Sequence, residues 1–92
     1  MTMDIQHDAA MHRFEVLIDG GHCVLDYTLA HGTMTIVHTG VPTQLGGRGI
    51  AAELVRAALA EARVRGWKVV PACSYAEAFM HKHAGEYGDL LA

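Results

Sequence analysis

The apolar residues of this chain repeat every two positions up to about residue 41 and at helical spacing from about residue 50. The switch falls on a glycine-rich run, Gln44-Leu45-Gly46-Gly47-Arg48-Gly49-Ile50. Before it, Phe14, Val16 and Ile18 alternate with Arg13, Glu15 and Leu17, the pattern of a strand. Asp19-Gly20-Gly21 predicts a tight turn, and HCVLDYTLA a second strand paired antiparallel with the first. His31-Gly32 turns the chain again into TMTIVHTGV, a third strand rich in β-branched residues. After the switch, Ala51, Leu54, Val55, Ala58 and Ala62 share one face, opposite Glu53, Arg56, Ala60 and Arg63. This predicts an amphipathic helix from about residue 49 to 65, closed by Gly66, with Arg63 and Arg65 at the negative end of its dipole. WKVVPAC is a fourth strand and SYAEAFMHKHA a second helix, with Ser74 as its cap and Ser74/Glu77 as a capping box. Leu90 and Leu91 in the tail are expected to pack back on the core.

The predicted order is βββαβα, an α+β fold in which an antiparallel meander joins a βαβ unit whose two strands are parallel. Residues 1–10 are polar and aperiodic and are expected to form a flexible arm ahead of one domain over residues 11–92. A chain of 92 residues has room for a single core. Its net charge of -3 lacks the basic excess of a nucleic-acid binder. Cys23 and Cys73 have no ligand spacing, so a disulfide framework is not expected and a reducing, cytoplasmic location is. No run approaches the ~20 apolar residues of a membrane span, and MTMDIQHDAAMHR has no signal-peptide core. His81 and His83, two positions apart, would point from different helix faces, so no metal site is expected.

The helix after the glycines has no Ser, Thr, Asp or Asn immediately before it. Its first amides therefore need another acceptor, with an anion, water or Thr43 as the alternatives. Three phosphate-binding patterns compete. A Walker loop requires Gly-Lys-Ser/Thr, against Gly-Arg-Gly-Ile here. The dinucleotide pattern matches Gly47, Gly49 and Ala52 but lacks an acidic residue on the next strand, WKVVPAC. The third, Gln/Arg-x-x-Gly-x-Gly/Ala between a strand and a helix, fits Gln44 to Gly49. This resembles motif A of the GNAT acetyltransferase superfamily. With HTGVP before it, GIAAELVRAALAEAR within it and VVPACSY after it, residues 12–91 look like the short, single-domain branch of GNAT-like N-acetyltransferases. The resemblance implies a minimal acyl-CoA N-acyltransferase fold, acetyl-CoA as cosubstrate and an amine acceptor. It also implies a pyrophosphate cradled by Gln44, Leu45, Gly46, Gly47, Arg48, Gly49 and Ile50, with the backbone of Val41 pairing to the pantetheine arm.

Three positions depart from that branch. Gly40 stands in place of its usual Glu, Gly46 in place of its usual Arg or Lys, and His83 to Tyr87 is one residue longer than its H-P-x-Y. Amine acetylation needs a positioned thioester, a neutral amine, oxyanion stabilisation and a proton for the thiolate. Cys73 is a candidate nucleophile if the following helix lowers its pKa; the alternative is a small buried hydrophobe. Tyr75 is a candidate proton donor, ahead of the position of Phe79, and its alternative is a half-buried aromatic. His38 is the candidate base, against a packed strand histidine. Arg48 is a candidate phosphate contact, against a solvated charge. The leading reading is an acetyl-CoA-dependent N-acetyltransferase, and the alternative is a non-catalytic coenzyme A-binding module acting through a protein partner. At this length the N-terminal helices that help build the acceptor pocket of larger GNAT enzymes are not expected, and a homodimer or a client protein is the expected source of that wall.

Overall fold

A computed structural model describes residues 3–92. Five strands form one sheet in sequence order: β1 (Gln6–Asp8), β2 (Arg13–Ile18), β3 (Gly21–Ala30), β4 (Thr33–Gly40) and β5 (Lys68–Pro71). The first four are antiparallel; β4 and β5 are parallel and joined through helix α1 (Ile50–Arg65). Helices α2 (Ser74–Lys82) and α3 (Ala84–Tyr87) come next, and a 3-10 turn over Gly88–Leu90 closes the chain. The mixed architecture read from the hydrophobic period is the one observed.

One sheet face is covered. Phe14, Val16, Leu25, Tyr27, Met34, Ile36 and Val69 point to it and are buried with Leu54, Val55, Ala58, Leu59 and Ala62 of α1. A helix of this length is marginal alone, so docking of this stripe is what holds it. Each large aliphatic or Phe side chain among them contributes roughly 1.5–3 kcal/mol on burial. Ala76, Phe79 and Met80 bring α2 into the same core. The other face is open, with Leu17, Val37 and Val70 exposed on it.

The turns reflect their residues. Asp19 and Gly20 both have positive φ, 48° and 77°, and link β2 to β3 as a two-residue hairpin. At the end of α1, Gly66 is left-handed, its N–H donates to Arg63 and that of Trp67 to Ala62, a Schellman closure.

Three expectations do not hold. Met1 and Thr2 lie outside the described residues, but the rest of the opening segment is not a loose arm. Gln6–Asp8 pairs with β2 as an edge strand, the His7 ring stacks 4.1 Å from Phe14, and its Nε2 lies 2.7 Å from the Tyr27 hydroxyl. Met3 and Ile5 pack on the core. Aperiodic polarity concealed this because a three-residue edge strand is too short to show a period. Ser74 does not cap α2: it is the first helical residue, Cys73 holds the cap position, and no side chain closes a cap hydrogen bond. The second helix also ends earlier than its apolar pattern suggests. His83 leaves helical geometry at φ -110°, ψ 36°, and α3 begins after it. Leu90 is buried, whereas Leu91 is 44 % exposed and joins β5 through a bridge to Val69.

Replacing His7 with Ala should therefore cost about 1–2 kcal/mol, from the lost ring stacking and an unpaired Tyr27 hydroxyl. Urea unfolding measures it, and a loose arm would give no change.

Candidate functional site

The site begins where the β4–β5 pairing stops. Register runs from Thr33↔Lys68 to Ile36↔Pro71, after which the amides of Ala72 and Cys73 both donate to the Ile36 carbonyl, at 3.0 and 2.9 Å. Beyond that point β4 continues to Gly40 without β5 beside it. On its other edge, Ile36 faces Tyr27 and His38 faces Asp26, so Val37 is an extra, bulged residue. A bulge increases local twist and reverses the inside–outside parity beyond it. Thr39 therefore faces inward beside Leu25, and His38 and Gly40 face outward beside Asp26 and Val24. Without the bulge, His38 would continue the buried row of Met34 and Ile36.

A loop of 3-10 geometry over Thr43–Leu45 leads out of β4, held by Leu45 N–H to Pro42 and Gly46 N–H to Thr43. Leu45 is buried. Gly47 and Gly49 are left-handed, at φ 82° and 77°, with open space where a Cβ would project. Gly46 is extended, at φ -62° and ψ 152°, a conformation any residue adopts. No side chain caps α1, so Thr43 does not serve. Among the described residues, the amides of Gly47 through Ala52 donate to no protein acceptor. The arrangement is an electropositive rim at the start of a long helix, suited to an anion.

A cleft of about 340 Å³ opens on this rim. It gathers Val41, Leu45, Gly46, Gly47, Gly49 and Ile50 of the expected loop set, together with Tyr75 from α2. Gln44 and Arg48 are exposed and do not line it; Arg48 instead donates to Asp19 at 2.6 Å. Tyr75, 41 % exposed, also lines a second cleft of about 360 Å³ between α1 and α2, with Arg56, Phe79, Lys82 and His83. The guanidinium of Arg56 lies over the Phe79 ring at 5.1 Å. This basic and aromatic annex was not read from the sequence. The periodicity of each helix shows its apolar stripe but not which polar flanks meet across a groove. A larger hollow of about 460 Å³ on the open sheet face, lined by Asp4, Glu15 and His22 among others, contains none of the loop residues.

Cys73 is half-buried at the mouth of the strand split, its sulfur 3.6 Å from the Thr39 hydroxyl oxygen. Burial pushes this thiol up. The amide of Ala76, the Thr39 hydroxyl and the amide of Tyr75 outweigh that and bring it below the ordinary thiol value. The sulfur completes no formed cap hydrogen bond, so these amides act as dipoles aimed at it. Cys23, by contrast, is fully buried and its thiol is pushed up. His38 is exposed on the opposite sheet face from Thr39, its ring reaching along β4. A Cβ built at Gly40 would lie 2.9 Å from His38 Nε2. The volume of a side chain at position 40 is thus already taken by the His38 ring. His81 and His83 form no metal cluster, and none occurs among the described residues. No helix among them is long and apolar enough to cross a membrane.

A parallel strand pair splits here beside a glycine loop at a helix start, and comparison with known proteins carries the chain to a family. A family model described as GCN5-related N-acetyl-transferase matches residues 13–90. The chain belongs to the GCN5-related N-acetyltransferase family. It is also similar to the solution NMR structure of a GCN5-like candidate N-acetyltransferase from Staphylococcus aureus. The two share 26 % identity and a TM-score of 0.77, covering 98 % of this chain and 88 % of that one. No curated protein matches the chain.

Two measurements test this geometry. Gly49→Ala should destabilise by about 1 kcal/mol or more, because its φ is left-handed. Gly46→Ala should be near neutral once the Thr43 carbonyl, 3.2 Å from the new Cβ, gives slightly. Urea unfolding of the pair checks both. Because the folded thiolate is favoured, the alkylation rate of Cys73 should rise with pH at a midpoint below that of a free thiol. Thr39→Val should move that midpoint upward.

Proposed function

We propose that this protein transfers an acetyl group from acetyl-CoA to an amine, with the pyrophosphate seated on the Gly47–Ala52 amides. The observation that carries this is the run of backbone donors without protein acceptors at the start of α1, facing the cleft that Val41 and Tyr75 also line. The donor set suits a diphosphate: two left-handed glycines leave the amides bare, and no Cβ blocks approach. The unpaired edge of β4 from Val37 to Gly40, continued by Val41, suits an extended amide-bearing arm added as a strand. Arg56 and Lys82 supply charge for further phosphate beside the rim, in a groove that His83 also lines.

Acetyl-CoA brings an acyl group already activated as a thioester. The protein's part is then division of labour across the split. An amine reaching the thioester from the open sheet face meets His38, which takes its proton as the carbon–nitrogen bond forms. On the helix-covered side, Tyr75 gives a proton to the departing sulfur as the carbon–sulfur bond breaks. Cys73, with its lowered thiol, offers a two-step route in which it first accepts the acetyl group and then yields it to the amine. Gly40 removes the acid that the resemblance leads one to expect, and the His38 ring standing in its volume supports His38 in that role.

Isothermal titration with acetyl-CoA, desulfo-CoA, NAD and ATP tests the binding half. Selective micromolar affinity for the coenzyme A species is expected, and equal or absent binding of all four defeats it. Gly46→Arg, at a position whose backbone conformation any residue adopts, should tighten binding several-fold by adding a cation at the rim once the Thr43 carbonyl gives slightly. For chemistry, an amine panel should be acetylated. Tyr75→Phe should slow turnover about 100- to 10,000-fold, the scale of a general acid. Cys73→Ala separates the routes: full loss supports the acetyl-cysteine, and retained turnover supports direct transfer. A module that only binds coenzyme A would show affinity and no acetylated amine.

A further inference from the structure

Arg48 is the one cation between Val41 and Ala52, and it is already engaged. Its Nη1 donates to Oδ2 of Asp19 at 2.6 Å. Asp19 belongs to the β2–β3 turn, which is packed against the glycine loop. A Cβ at Gly21 would lie 2.5 Å from Leu45 Cδ1 and 3.3 Å from Pro42 Cγ. The carboxylate is therefore held beside the loop by backbone, while Arg48 reaches it with a flexible side chain.

We propose that Asp19 is a built-in competitor for the anion site, engaging Arg48 until a phosphate ligand displaces it and so setting affinity for pyrophosphate-bearing ligands. The inference rests on the reading of the Gly47–Ala52 rim as a pyrophosphate cradle. Both partners are solvent-accessible, with side chains 47 % and 68 % exposed, so the pair is weak and easily exchanged. A pyrophosphate carries more charge than one carboxylate and accepts from the planar guanidinium in the same way. The exchange needs only a rotamer change in Arg48. With Gly46 in place of a basic residue, no second cation of the loop can take over. An Asp19 that remains charged also repels the ligand it has released Arg48 to meet.

Asp19→Asn isolates the charge. The turn requires positive φ at this position, and Asn adopts it as readily as Asp, so the hairpin survives. Coenzyme A is titrated calorimetrically into wild type, Asp19→Asn, Arg48→Ala and the double variant. Their urea midpoints are compared to verify folding. Asp19→Asn should bind about two- to fivefold more tightly than wild type, with most of that gain absent in the Arg48→Ala background. Equal affinity of wild type and Asp19→Asn, or the same gain without Arg48, overturns the proposal while leaving the cradle in place. Failure of all four proteins to bind coenzyme A removes the cradle and this inference together.

Discussion

The carbonyl of Ile36 is where the sheet stops behaving as a sheet. It accepts two amides, from Ala72 and Cys73, and with that the parallel pairing of β4 and β5 ends. One residue later Val37 bulges against β3. The two events work together: the bulge turns β4 away while β5 is carried off into α2. Past the split, a strand with a free backbone edge, a loop and a helix start all open into one cleft. The same bulge decides orientation. It turns His38 to the open face and Thr39 to the sulfur of Cys73, so groups neighbouring in sequence serve opposite sides of the split.

The electrostatics of the site are built mainly from backbone. Six consecutive residues, Gly47 to Ala52, present amides without acceptors among the described residues, and two left-handed glycines keep that surface bare. Side-chain cations lie at the periphery: Arg48 is paired with Asp19, and Arg56 and Lys82 line the adjoining groove. In a chain with net charge -3 this rim is nonetheless electropositive, because amide dipoles act at short range in a half-enclosed cleft without a basic surface. The Cys73 thiol draws on the same physics at the next helix start, where burial and aimed dipoles oppose one another and the dipoles prevail.

Much of this was legible in the residues. Alternation in RFEVLID and HCVLDYTLA, and helical spacing from Ala51 to Ala62, located strands and helix to within a residue or two, because one buried face imposes its period on any chain. Gly66 and the turn at Asp19-Gly20-Gly21 were legible by residue type, although positive φ falls on Asp19 and Gly20 while Gly21 opens β3. Less was visible where an element is too short to have a period, as in Gln6–Asp8, or where two elements compete for one residue. Ser74 carries the sequence signature of a cap, but the backbone pairing of Cys73 to Ile36 moves the helix start one position, and Cys73 takes the place.

Residue order alone was enough to define the mixed fold and the glycine loop, since each is written in spacing along a contiguous stretch, and the resemblance carried by that loop and its flanks pointed to the family. Folding in three dimensions had to decide which way His38 faces, that Thr39 meets Cys73, that Arg56 and Lys82 share a groove, and that Arg48 is engaged by Asp19. These relations join residues that are distant in the chain or separated by a bulge. Their geometry depends on how the sheet twists and where its pairing ends, which local composition does not encode.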